Sequence, residues 1–434
     1  MRPAAIIILA IASYLAVASA PSAQEFEFDT TEFEKPALQI GGYVEGKAEY
    51  FRYDRGSAFY RLSATETDLG SDNGRTAGTA EIRAKFEKDW VTAFATVHGQ
   101  GQWDADQQGS REARLFEGGV AVRPATGLAI DAGKKVLKWG KGYGWNPVGF
   151  VERPKDPTDP DLSREGFWML TADYVRSFEG PLQTVGITPV VLPVTQSMNE
   201  DFGQREHVNL GGKLYLLYED TDIDFTFLAG GTRTARFGVD FSGNILSNLE
   251  VHGELAFITD SERRVLGDSG DIVTRQGDAL SFLLGLRYLS ETDTTYIVEY
   301  YRNGPGFAQS ETRDFLRLAQ DAVDSFEATA SAASLHKART LSQAGYGRQT
   351  PARDYLYLRV SQKEPFDILY FTPSIIGIVN LGDRSLSLTP ELLYTGITNL
   401  EVRLRGAVNI GGRLSEFGEK QADGRVELRV RYFF

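Results

Sequence analysis

Cysteine is absent from this 434-residue chain, so no disulfide frames it and no thiolate serves as nucleophile or metal ligand. Histidine is nearly absent: His98, His207, His252 and His336 are all there are, and no two stand at metal-ligand spacing. A serine-histidine relay needs a base oriented beside a hydroxyl. His98 and His252 lie in strand-like runs, and no Gly-x-Ser-x-Gly elbow accompanies either. The expectation is a protein that is not an enzyme and carries no cofactor. An excess of positive charge is also missing. The net charge of −13 argues against a nucleic-acid partner.

Long apolar runs are confined to the start of the chain. Arg2, the apolar residues 4–17 and the small residues Ala18-Ser19-Ala20 have the layout of a signal peptide. Pro21 is awkward directly after a cleavage site, so the boundary is placed after Ala23. A spanning helix needs about 20 apolar residues, and no such run follows. The expected division is a signal peptide over residues 1–23, a periplasmic segment over 24–37 and a single β domain over 38–434.

What the chain does have is alternation. The final run Arg425-Val426-Glu427-Leu428-Arg429-Val430-Arg431-Tyr432-Phe433-Phe434 puts Val426, Leu428, Val430, Tyr432 and Phe434 on one face of a strand and charges on the other. Some eighteen such runs are present, starting near Leu38, Thr79, Val91, Ala113, Leu128, Phe167, Leu182, Val208, Ile223, Arg236, Leu249, Leu280, Thr294, Asp354, Leu369, Ser385, Leu400 and Arg425. The number falls to sixteen if the pair at 223–244 is not counted separately. Long connections follow odd-numbered runs only: 54–76, 139–166, 195–206, 260–279, 304–353 and 411–424. Short turns on one side and long loops on the other are how transmembrane β-barrels are built. The predicted fold is therefore all-β: a closed, antiparallel, up-and-down outer-membrane barrel with one helical extracellular loop. A soluble sandwich has no reason to obey that parity. About fifteen mature residues precede the first run, too few for a folded plug.

Parity also assigns the faces. Arg83, Lys85, Arg359, Lys363, Arg403, Arg405, Arg425, Arg429 and Arg431 are expected to point inward, with Glu81, Glu87, Glu401 and Glu427 beside them. The opposite assignment would put charges against lipid at about 2–4 kcal/mol each near the midplane. Inward Arg and Lys favour anions, whereas Arg–Glu ladders merely stiffen a wall; both readings stay open here. Val430, Tyr432 and Phe434 are the expected signal to the barrel-assembly machinery. Outer-membrane lipid and lipopolysaccharide are the expected surroundings, with homo-oligomerisation left open.

The most distinctive segment, 133–166, reads GKKVLKWGKGYGWNPVGFVERPKDPTDPDLSREG. Its lysines, including Lys138 and Lys141, and its aromatics, including Tyr143 and Trp145, are interleaved with glycine, as suits a loop folded into a lumen. The alternative is an aromatic girdle followed by a solvated loop. Asp156, Asp159 and Asp161 are the nearest approach to a calcium site, but no glycine or bidentate Glu completes the pattern, so a solvated acidic turn is favoured and no metal is expected. The strand GKKVLKWG followed by Asn146-Pro147 resembles porin-like barrels, in which a basic strand leads into a WG…NP loop, and faintly the alginate-export type. That resemblance implies a channel and carries no substrate residue across. In the loop 304–353, Phe315, Leu318, Ala319, Ala322 and Phe326 fall at helical spacing, and the helix runs on unbroken toward Gly345. It is read as a lid, a lumen plug or a helix on the rim.

The functional expectation is diffusion of small hydrophilic solutes, with a preference for anions, past a constriction lined by Lys138, Lys141, Tyr143, Trp145, Arg403, Arg405, Arg429 and Arg431. The alternatives are a barrel that exports or anchors an anionic polysaccharide, and a structural barrel plugged by residues 310–343.

Overall fold

The computed structural model describes residues 36–66, 74–104, 109–160, 162 and 164–434. The proposed signal peptide and most of the segment after it lie outside the described residues. Eighteen strands follow one another: β1 (Leu38–Tyr53), β2 (Gly74–Lys88), β3 (Val91–Asp104), β4 (Gly109–Ala125), β5 (Leu128–Lys135), β6 (Phe167–Ser177), β7 (Leu182–Val194), β8 (His207–Tyr218) and β9 (Thr221–Gly230). They continue as β10 (Arg236–Leu246), β11 (Leu249–Leu266), β12 (Ile272–Leu289), β13 (Thr294–Arg302), β14 (Asp354–Gln362), β15 (Phe371–Asn380), β16 (Leu386–Ile397), β17 (Leu400–Ile410) and β18 (Ala422–Phe433). Each pairs antiparallel with its sequence neighbours, and β1 pairs with β18, so the sheet closes. At the seam the Gly42 N–H donates to the Phe434 carbonyl at 3.0 Å, and the Phe434 N–H returns the bond at 3.1 Å. Closure leaves no unpaired edge, which is what a sheet in lipid requires.

The turns explain why one rim is short. Glu219 and Asp220 connect β8 to β9 with φ of 45° and 62°, the backbone of a two-residue hairpin whose twist matches its strands. The long connections sit on the other rim. One expectation fails there. The stretch 260–279 is not a loop, because after a bulge near Ile258 pairing resumes at Ser261–Gly277 and runs on to Leu266–Ile272. This hairpin rises beyond the barrel, and only 267–271 connects its arms.

Faces follow parity. Val426 and Leu428 are exposed on the outside, while Glu427 and Arg429 are buried on the inside. Among the described residues no helix is long and apolar enough to cross a membrane. Above the long-loop rim, α1 (Ala58–Ala64) lies between β1 and β2, while α2 (Gln309–Thr329) and α3 (Ala333–Leu341) lie between β13 and β14. The expected single helix breaks at Ala330, which adopts φ 57°. Leu62 of α1, Val265 of β11, Phe315 and Leu316 of α2, and Leu335 and Leu341 of α3 form one apolar core. Each such side chain contributes about 1.5–3 kcal/mol on burial. The β1–β2 and β11–β12 connections lie roughly opposite one another in the ring. The helices therefore bridge the mouth as a roof at the rim.

Candidate solute pathway

Between β5 and β6 the chain turns inward. The N–H groups of Lys141 and Gly142 both donate to Glu254 Oε1 at 2.7 Å, and that of Val148 donates to Glu254 Oε2 at 3.1 Å. Those of Tyr143 and Gly144 donate to Glu299 Oε1 and Oε2 at 2.5 and 2.8 Å. Both acids are buried on the inner face, Glu254 on β11 and Glu299 on β13. His252 Nε2 lies 2.9 Å from Glu299 Oε1 and orients it. The alternate glycines make this approach feasible. Gly140 has φ +84°, and a Cβ there would stand 2.7 Å from Glu254 Oε1; one at Gly142 would stand 2.3 Å from the Trp145 carbonyl oxygen.

The next residues wedge and brace. The Trp145 ring packs on Tyr301, Tyr355 and Tyr357 at centroid distances of 4.8, 5.6 and 5.9 Å, and its indole N–H donates to Thr350 Oγ1 at 3.3 Å. Glu152 accepts from the Trp139 N–H, from Asn146 Nδ2 at 3.1 Å and from Arg164 at 3.3 Å. Burial pushes the Glu152 carboxyl up to about 7, against the opposing pull of the Trp139 N–H and Arg164. Lys155 donates to the Gly142 carbonyl, and burial lowers its pKa.

Farther along, the loop reaches the opposite wall. Asp159 Oδ2 accepts from Arg405 at 2.9 Å and Arg429 at 3.0 Å, and Arg403 stands 3.9 Å from Oδ1. Burial alone would raise the Asp159 carboxyl, but the hydrogen bond from Arg405 and the three guanidinium charges outweigh it and hold it at about 2. The loop is thus tied at β5–β6, at β11–β13 and at β17–β18, points separated by roughly a third of the ring each. It partitions the lumen.

The structure places the expected residues unequally. Arg403, Arg405 and Arg429 meet around Asp159 and, like Trp145, are buried there; Arg405 also pairs with Glu391 at 2.5 Å, Arg403 with Glu401 at 3.2 Å, and Arg429 with Glu427 at 2.7 Å. Arg431 pairs with Glu45 at 2.7 Å and lies over the Tyr43 ring at 4.3 Å. Lys141 Nζ is 3.2 Å from Asp224, Tyr143 sets its ring edge-on to His252 at 5.3 Å, and Lys138 is exposed. Trp145 requires correction. Its ring is buried in the wall's tyrosines and anchors the loop instead of offering a platform to solute. The acidic trio is corrected too: Asp159 is spent on arginines, Asp156 binds Thr158 and Gln349, and Asp161 lies outside the described residues. Several inward acids were missed, Glu49, Glu299 and Glu391 among them. Asp224, Asp240 and Glu254 stand directly opposite one another on β9, β10 and β11. The parity that placed the arginines inward places them as well.

In several inner pairs the cation is the solvent-facing partner. Side-chain exposure is 58% for Arg83 against 0% for Glu81, 28% for Arg425 against 3% for Glu49, and 21% for Lys141 against 2% for Asp224. At these three positions the cation stands in front of a buried carboxylate, whereas around Arg403 and Arg405 the carboxylates of Glu391 and Glu401 are the more exposed partners.

No protein-family model matches this chain, and no curated protein matches it significantly. Solved structures do. OccK11 (OpdR) of Pseudomonas aeruginosa superimposes with a TM-score of 0.54 at 12% identity, over 92% of this chain and 96% of that one. OccK2 (OpdF) of the same organism, in complex with glucuronate, gives 0.51 at 11% identity over 92% and 96%. OccAB1 of Acinetobacter baumannii gives 0.50 at 11% identity over 91% and 96%. The fold is that of a porin-type barrel. At this identity the likeness concerns the fold and assigns no residue a role.

Proposed function

We propose that this protein is a channel of the bacterial outer membrane that passes small hydrophilic solutes, with a preference for those bearing a negative charge. The observation that carries the reading is the loop tied across the lumen by Glu254, Glu299 and Asp159. A loop held on three sides narrows a barrel to the size of small molecules. The anion preference is supported by the cation-forward pairs described above. The glucuronate held by OccK2 is a solute of the same chemical class. Export of an extended polyanion ranks second, because a polymer would require the loop to leave the lumen. In this reading lipid and lipopolysaccharide surround the outward apolar face, and outward Phe434 is presented to the assembly machinery.

The purified protein in a planar bilayer under a potassium chloride gradient provides the test. Discrete conductance steps and a reversal potential displaced toward chloride are expected. An absence of steps sinks the channel, and a displacement toward potassium sinks the anion preference.

A further inference from the structure

The inner wall is not uniformly charged. Deep in the barrel β16 and β17 present Glu391, Arg403 and Arg405, but toward the long-loop rim the inward positions become Thr389, Ser387, Ala407 and Asn409. These residues border a recess of about 320 Å³, at the lower end of the range for small-molecule sites. The lumen loop closes one side with Asp156 and Thr158, and Phe417 closes the outer side.

The recess offers a guest both polar and apolar surface. Ser387 and Thr389 are 7% and 2% exposed, and among the described residues no side-chain hydrogen bond engages either hydroxyl. Both oxygens face the recess and are open to a guest there. Asn409 spends its Nδ2 on the Ala422 carbonyl at 2.9 Å, which leaves its Oδ1 as an acceptor across the strand pair from Ser387. Beside these polar groups lie the apolar flanks of Ile378 and Phe417, both packed into the aromatic cluster that holds Trp145. Hydroxyls and an amide on one side with aliphatic and aromatic surface on the other match a sugar ring, which offers hydroxyl edges and C–H faces. The recess stands directly outward of the Asp159–arginine cluster, since β17 runs from the short-turn rim at Leu400 to the long-loop rim at Ile410.

We propose that this recess is a binding subsite for a hydroxyl-rich ring of monosaccharide size. In that role, which rests on the channel reading, it holds the solute just before the arginine cluster. Arg425 and Lys420 also line the recess, so a neutral sugar binds here without the three arginines around Asp159, and a sugar acid adds its carboxylate to them.

The test titrates D-glucose into the detergent-solubilised full-length protein and follows binding by saturation-transfer NMR of the sugar. Saturable binding is expected for the wild type. The variant Ser387→Ala/Thr389→Val, which removes both hydroxyls with little change of volume, should bind about tenfold more weakly. Thr389→Ser, which keeps the hydroxyl, should bind like the wild type and guards against a misfolding artefact. No glucose binding by the wild type, or equal binding by the double variant, overturns the subsite. Bilayer conductance on the same samples separates the two ideas. Conductance without sugar binding removes the recess alone, and sugar binding without conductance removes the channel alone.

Discussion

The two walls gripped by the lumen loop have opposite chemistry. On β11 and β13 the wall supplies carboxylates, Glu254 and Glu299, and the loop supplies backbone N–H groups. On β17 and β18 the wall supplies guanidiniums and the loop supplies one carboxylate, Asp159. The hydrogen bonds of the first grip come from uncharged backbone donors, with Lys155 of the loop nearby, and Lys141 is left to neutralise Asp224. The second is an ion-pair network in which Arg403, Arg405 and Arg429 share Asp159 with Glu391, Glu401 and Glu427. Removing a partner from the first wall orphans buried donors. Removing one from the second wall shifts a charge balance. The first wall should therefore govern whether the loop stays, and the second which ions pass.

The sharpest way to break that distinction is Glu254→Ala with Glu299→Ala. Five loop N–H groups lose charged acceptors, at about 1–3 kcal/mol for each donor left unpaired and buried. The loop should leave the lumen. Unitary conductance should then rise severalfold, and protease should cut within residues 139–164 where the wild type resists. An unchanged conductance would show that these carboxylates do not hold the loop.

Asp159→Asn is expected to act less on stability and more on selectivity. It removes the one loop carboxylate among three guanidiniums, which keep Glu391, Glu401 and Glu427. The reversal potential under a salt gradient should move further toward chloride, with a modest fall in thermal midpoint. The pH dependence has a definite sign. The carboxyl lies at about 2 in the fold against 3.8 ordinarily, so its stabilising contribution is complete above about 4 and is lost as pH falls toward 2. A variant with wild-type selectivity would mean that the arginine wall does not face the conducting path.

Strand number, closure and face assignment were legible because many strands alternate with period two between an apolar outer face and a polar inner one. The run 425–434 alone reveals both faces, and Glu427 and Arg429 lie where it puts them. The hairpin at 261–277 escaped because it rises past the neighbouring strands, where neither face must be apolar and alternation carries no signal. Within the site, glycine spacing at 140, 142 and 144 hinted at close backbone approach, but the acceptors Glu254 and Glu299 are more than a hundred residues away. Trp145 was misassigned because an aromatic in a glycine-rich loop reads the same whether it faces solute or a wall of tyrosines. Asp159 was hidden by its neighbours, since an Asp-Pro-rich turn gives no sign of the arginines it will meet.

The smallest expected effect belongs to Glu152, which serves neither wall and instead braces the loop against itself. Its carboxyl titrates at about 7 in the fold and at 4.5 ordinarily. Between those values the native state binds the extra proton, so its contribution to stability declines as pH rises from about 4.5 to 7 and is flat above. Glu152→Gln fixes the uncharged form and should remove that slope. The difference in thermal midpoint between variant and wild type should therefore shift in the variant's favour from pH 5 to pH 8. If the difference is constant with pH, Glu152 is ionised throughout, held by Arg164 and the Trp139 N–H. The brace would then belong with the ion-pair wall and not with the backbone grip, and the contrast between the two walls would need redrawing at the loop's centre.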